Sequence, residues 1–219
     1  MPRALFQKTG DAVWMSHLDL MRVFQRAFKR AGLPLTHTHG YNPRPSVSIA
    51  LPLSVGVQSQ CELLDFDLEG NDVSCEEIRD RLNQALVSGV RVIKVYRDGR
   101  KIRDLSLLDC IVTLEYDNGL PADAKKQMEK LFSASSLIVE KRGKNGLVEQ
   151  DIIPMIKKID VQTADVNTCC LHAMICCQNP TLNPALLVAA IERYLPDMKP
   201  DFASICRNEI YDGNETIFR

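Results

Sequence analysis

The feature that most narrows the fold of this chain is the repeated switch of its hydrophobic period between two and 3.6 residues. Residues 3–8 and 12–15 read as short strands around the turn Thr9-Gly10-Asp11. Residues 16–31 then change period: Leu20, Met21, Phe24, Ala27, Phe28 and Ala31 form one apolar stripe, with Arg22, Arg26, Lys29 and Arg30 on the other face. Ser16 is a suitable N-cap with Asp19 three residues on, and Gly32 and Pro34 stop the helix. After an irregular loop, residues 46–53 and 61–68 alternate as strands, 74–88 reads as a helix capped by Ser74, and 90–96 reads as a strand.

That order is β-α-β-β-α-β, and it recurs. Strands are expected at 109–116, 136–141, 152–161, 168–177 and 205–211, with helices at 122–134 and 183–194, the last opened by Asn183 and Pro184. The expectation is an α+β protein of two tandem ferredoxin-like halves with antiparallel sheets. Residues 1–98 form the first half and 108–219 the second. The charged stretch 99–107 is the linker.

Composition bounds the function classes. No apolar run approaches the roughly 20 residues that span a bilayer, and no apolar segment of signal-peptide type opens the chain. The eight cysteines therefore read as reduced thiols of a cytoplasmic protein, with no membrane partner. The net charge of −1 is a near-cancellation. Residues 1–50 carry seven Lys/Arg against two Asp, whereas 51–90 carry two Arg against eight Asp/Glu.

Four constellations could carry chemistry. The first is the stripe Arg22, Arg26, Lys29 and Arg30, which could neutralise several phosphates or simply be a solvated helix face. The second is the loop containing His37, His39, Tyr41, Asn42 and Arg44. Pro43 and Pro45 hold Arg44 extended, and these groups stack on bases or bond phosphates; the blander account is a structured connector. The third is Ser16-His17-Leu18-Asp19. Neighbouring helical positions diverge, so no triad forms, and His17 remains as a lone candidate general acid or base. The fourth is Cys169–Cys177, where Cys170, His172, Met174 and Cys176 share a strand face. Their spacing of about 6.5–7 Å is too wide for tetrahedral thiolate ligation, so no metal is assigned and small buried side chains account for the cysteines. P-loop, dinucleotide, zincin and nucleophile-elbow patterns are absent, so no cofactor is assigned.

Four ordered segments carry a resemblance: Phe6-Gln7-Lys8-Thr9-Gly10, Ser16-His17-Leu18-Asp19-Leu20-Met21-Arg22, Gly40-Tyr41-Asn42-Pro43-Arg44-Pro45, and Ala50-Leu51-Pro52-Leu53-Ser54-Val55-Gly56-Val57. The chain resembles a bacterial radical-SAM-associated domain of unknown function, which occurs alone or fused behind a cobalamin-binding radical SAM enzyme. The match is close over residues 3–69 and looser beyond. It departs at Tyr41, where Phe is common, and at Ser46, where a Lys often follows; the missing cation weakens a polyanion reading. The resemblance implies a radical SAM partner. No C-x-x-x-C-x-x-C triplet is present, so this chain would not hold the cluster itself. The expected function is a non-catalytic module that binds structured RNA (tRNA or rRNA), with no preference for DNA arguable. One alternative is a metal-independent ribonuclease or RNA-modifying enzyme using His17. The other is a protein-binding adaptor whose acidic segment 62–80 docks a partner.

Overall fold

In the computed structural model, which describes residues 1–70, 73–143 and 146–219, the chain divides into a unit of Met1–Ile102 with Arg219 and a unit of Arg103–Phe218. The first unit opens with β1 (Arg3–Lys8). Of residues 12–15, expected as a strand, 12–14 belong instead to a 3-10 helix, Gly10–Trp14, and Met15 caps it. Ala12 N–H donates to Thr9 O and Met15 N–H to Ala12 O, so the turn closes on local bonds in place of a ladder. Gly89 makes room for it: a Cβ there would stand 2.3 Å from Thr9 O.

Helix α1 (His17–Arg30) buries Leu20, Phe24, Ala27 and Phe28. Then come β2 (Val47–Ile49), β3 (Val57–Phe66), α2 (Cys75–Ala85) and β4 (Val90–Tyr96). Strand β2 is shorter than the expected 46–53, because Pro52 has no N–H to donate to a ladder. The spatial order is β4-β1-β3-β2, with each pairing antiparallel. The face under the helices is a core of aromatic contacts. Phe6 meets Phe24 edge-on at 4.7 Å between centroids, and Phe28 tilts onto Phe66 at 4.9 Å. Burying each such ring contributes on the order of 2–3 kcal/mol. Across β1 and β3, Arg3 grips Asp65 with two bonds, at 2.5 and 3.0 Å.

The second unit runs β5 (Leu105–Glu115), α3 (Ala124–Phe132), β6 (Ile138–Gly143), β7 (Gly146–Asp151), β8 (Ile156–Thr163), β9 (Thr168–Cys176), α4 (Ala185–Tyr194) and β10 (Phe202–Asp212). Its main sheet has the order β10-β5-β9-β8, so in both units the four main strands stand fourth, first, third, second. The β6-β7 hairpin is a separate ribbon, and β7 was not expected from the sequence. Leu147 and Val148 are both exposed there, so no face is buried and no period-two signal is written. Asn183 Oδ1 accepts from Ala185 N–H at 3.1 Å, as a residue opening a helix should, although the helix begins at Ala185.

On β9, Cys169, Leu171, Ala173 and Ile175 are buried, while Cys170, His172 and Met174 are half-buried. The register of β9 is unbroken from Thr168 to Cys176, so Cys176 follows on the face of these three and is covered there. Among the described residues no group of three or more His, Cys, Asp or Glu could hold a metal ion. No helix among them is long and apolar enough to cross a membrane.

Candidate nucleic-acid interface

Helix α1 is shaped by its caps before it is shaped for any ligand. Ser16 Oγ accepts from Asp19 N–H at 3.1 Å and donates to Asp19 Oδ2 at 2.7 Å. The hydrogen bond from Ser16, with help from Arg22 at 2.9 Å, holds the Asp19 carboxyl below its ordinary range. Ser16 and Asp19 are thus committed to each other, and no triad forms with His17. His17 is half-buried, and its Nδ1 is enclosed with no hydrogen-bond partner among the described residues.

The four cations of α1 separate by role. Arg30 Nη2 donates to Ala85 O at the end of α2, at 2.6 Å. In return Arg81 of α2 donates to Ala31 O and Gly32 O at the end of α1. Each guanidinium meets the unsatisfied carbonyls of the other helix, so Arg30 is architecture. Arg22 is exposed but paired with Asp19. Arg26 and Lys29 are exposed, and their side chains have no ion pair or hydrogen bond among the described residues.

The loop after α1 is more ordered than a connector. Thr38 N–H donates to Arg44 O, Ser46 N–H to Thr36 O, and Arg44 N–H to Thr38 Oγ1 at 3.0 Å. Thr36 and Ser46 are stitched to Asp67, and Glu69 N–H donates to Pro34 O. Three short segments therefore form one hydrogen-bonded wall, from which residues 39–43 stand out. His39, Asn42 and Arg44 are exposed, and Tyr41 is 100% exposed. The Arg44 side chain makes no ion pair among the described residues.

Helix and loop meet at a cleft of about 450 Å³. Its floor is apolar, from Phe28, Leu33 and Leu35, with Pro34 and Pro45 at the sides. Its polar groups are Gln25, Lys29, His37 and Glu69. The structure thus brings Lys29 of the stripe and His37 of the loop to one place. Arg22, Arg26, His39, Tyr41, Asn42 and Arg44 are surface groups outside the lining, and Arg30 is drawn off to α2.

Residues 2–184 match the family described as "Uncharacterized protein conserved in bacteria (DUF2344)". The chain belongs to this family. No curated protein matches the sequence. Among solved structures, it is similar to a chain of a Cbf5-Nop10-Gar1 complex, at 9% identity and a TM-score of 0.51, over 95% of this chain and 48% of that one. A chain of an H/ACA RNP bound to a substrate RNA containing 2'-deoxyuridine matches at 10% identity and a TM-score of 0.48, over 98% and 48%. The DUF2344 chain spans about half the length of each of these two solved chains. The first likeness speaks to the fold alone: a mixture of helices with mostly antiparallel sheet.

Three features of this DUF2344 chain are not written in its local sequence. Lys8 is fully buried, and its Nζ donates to Met15 O at 3.1 Å and Ser54 O at 3.2 Å. It ties the first of the four motif segments to residues beside the second and within the fourth, so part of the motif density is scaffold. Trp14, the single tryptophan, is 64% exposed beside Gly56. Glu69 sits on the cleft rim although 40 residues separate it from Lys29, a proximity that no local pattern encodes. Gln25 was legible in principle, since it lies at i, i+3 and i+4 spacing with Phe28 and Lys29. The acidic segment 62–80 is partly spent internally, Asp65 on Arg3 and Asp67 on Thr36; Asn71 and Asp72 of that segment lie outside the described residues.

Proposed function

We propose that this protein is a non-catalytic RNA-binding module that presents a structured RNA to an enzyme, with a radical SAM protein as the partner. We also read each unit as ferredoxin-like, on the repeated strand order. The observation that carries the functional reading is the cleft where the α1 stripe meets the 36–46 wall. Lys29 and Arg26 can take phosphates. The apolar floor with His37 and Glu69 suits an unpaired base, whose flat face needs apolar cover and whose edge needs a donor and an acceptor. Arg44 is held on a fixed backbone, so little entropy is lost when its fork closes on a phosphate or a base.

The test is a titration of bulk bacterial tRNA and of rRNA fragments into the full chain across salt concentrations. Affinity should fall steeply with salt, and Arg26→Ala/Lys29→Ala should weaken it and flatten the slope. Absence of binding to every pool at low salt ends the proposal. Cleavage of labelled RNA in chelator, lost in His17→Ala, would replace it with the ribonuclease reading. Recovery of a radical SAM protein by pull-down after nuclease treatment, with no RNA binding, would replace it with the adaptor reading.

A further inference from the structure

The second unit contains a cleft built by the same device as the first. Helix α3 follows the first strand of its sheet, as α1 does in the first unit. In the first cleft, α1 contributes Gln25, Phe28 and Lys29, at i, i+3 and i+4. In the second, of about 570 Å³, α3 contributes Gln127, Lys130 and Leu131 at the same spacing. Each set is a glutamine, a lysine and an apolar residue on one helical face. Both clefts are completed by the segment that follows the helix, here through Ala134, Ser136 and Leu137. Lys126 lies one turn before Lys130, and both ammonium groups are exposed with no ion pair among the described residues. The nearby cation Lys125 differs, being paired with Glu129 at 3.7 Å.

The second cleft adds an accessible phenol ring to its wall. Tyr194 is 42% exposed, and its hydroxyl donates to Ile138 O at 2.9 Å. Arg193 stands 5.7 Å from the ring centroid. Asp123, with φ of 56°, is the one carboxylate lining the cleft among the described residues.

We propose that this cleft of the second unit is a second site for single-stranded RNA, with an unpaired base against Tyr194 and its flanking phosphates on Lys126 and Lys130. The proposal rests on the RNA-binding reading of the first unit, and extends it from one site to two. An aromatic face accepts any base, and two lysines one turn apart match successive phosphates more closely than they match a neutral ligand.

The test uses the full chain and a fluorescein-labelled 12-nucleotide oligouridine, read by anisotropy across salt. Lys126→Ala/Lys130→Ala should weaken binding. It should also lower the log–log salt slope by about 1.4, since each phosphate of a single strand that is no longer neutralised takes away roughly 0.7. Tyr194→Leu should weaken binding about tenfold, whereas Tyr194→Phe, which keeps the ring and removes the hydroxyl, should bind like the parent. Thermal melts of each variant check that the fold is kept. An unchanged affinity and slope in the lysine variant, with binding abolished in Arg26→Ala/Lys29→Ala, would overturn the second site and leave the first. No binding by the parent chain would remove both.

Discussion

Arg44 is the residue whose replacement says most. Its backbone is fixed by Thr38 on both sides, and its side chain is exposed without a partner among the described residues. Arg44→Ala should therefore leave the melting temperature of the protein unchanged and weaken RNA binding about 10- to 100-fold, the scale of one charge-assisted hydrogen bond. A large fall in melting temperature in calorimetry would make the loop architecture. Lys8 gives the opposite expectation. Lys8→Met keeps the length of the side chain and strands the carbonyls of Met15 and Ser54 without their donor. Each missing hydrogen bond costs on the order of 1 kcal/mol, so the melting temperature should drop by roughly 10 °C in thermal unfolding monitored by circular dichroism. The sequence marks Arg44 because prolines announce themselves locally. Lys8 is not marked, because nothing local distinguishes a buried lysine from an exposed one; its carbonyl partners lie 7 and 46 residues away.

Elements divide in the same way between what is locally written and what is not. The caps at Ser16 and Ser74 were legible, since the cap and its target N–H are three residues apart. Ser16→Ala should cost about 1 kcal/mol, read as a lower denaturant midpoint with unchanged m-value. The clasp of α1 by α2 was not legible, because Arg30 and Arg81 reach across 55 and 50 residues. Arg30→Ala should lower the melting temperature by a few degrees, at about 4–8 °C per kcal/mol, and leave RNA affinity as it is. At the end of β7, Asp151 accepts from Leu137 N–H at 2.9 Å and Ile153 N–H at 3.1 Å. The bond from Leu137 is the main cause holding its carboxyl below the ordinary range. A depressed folded value means the stabilisation is complete above the ordinary carboxylate range, near pH 4, and is lost as pH falls through the folded value. Asp151→Asn should therefore melt below the parent at pH 6, and the two should converge towards pH 3.

For the chain as a whole, the near-zero net charge means that any polyanion is held by local groups and not by a global field. With Arg26, Lys29 and Arg44 of the first unit engaged, the salt slope for a single strand should be about −2, at roughly −0.7 per neutralised phosphate. A slope near zero in a filter-binding series would mean that groups other than phosphates hold the RNA. The helices and the main-sheet strands were legible in both units, since they are written in hydrophobic period; β7 was not, since its Leu147 and Val148 are both exposed. The thiols carry one more consequence. All eight cysteines are unbridged, Cys61 and Cys75 in the first unit and six in the second. Of these, Cys61 is buried in the first unit, and Cys110, Cys169, Cys176 and Cys177 in the second. Burial pushes Cys110 up to about 12 and Cys169 to about 11, so at neutral pH these two are protonated as well as inaccessible. Alkylation needs the thiolate to meet the reagent. Mass added under a maleimide pulse thus works as a clock with two hands: opening of the first unit adds one label, and opening of the second adds four.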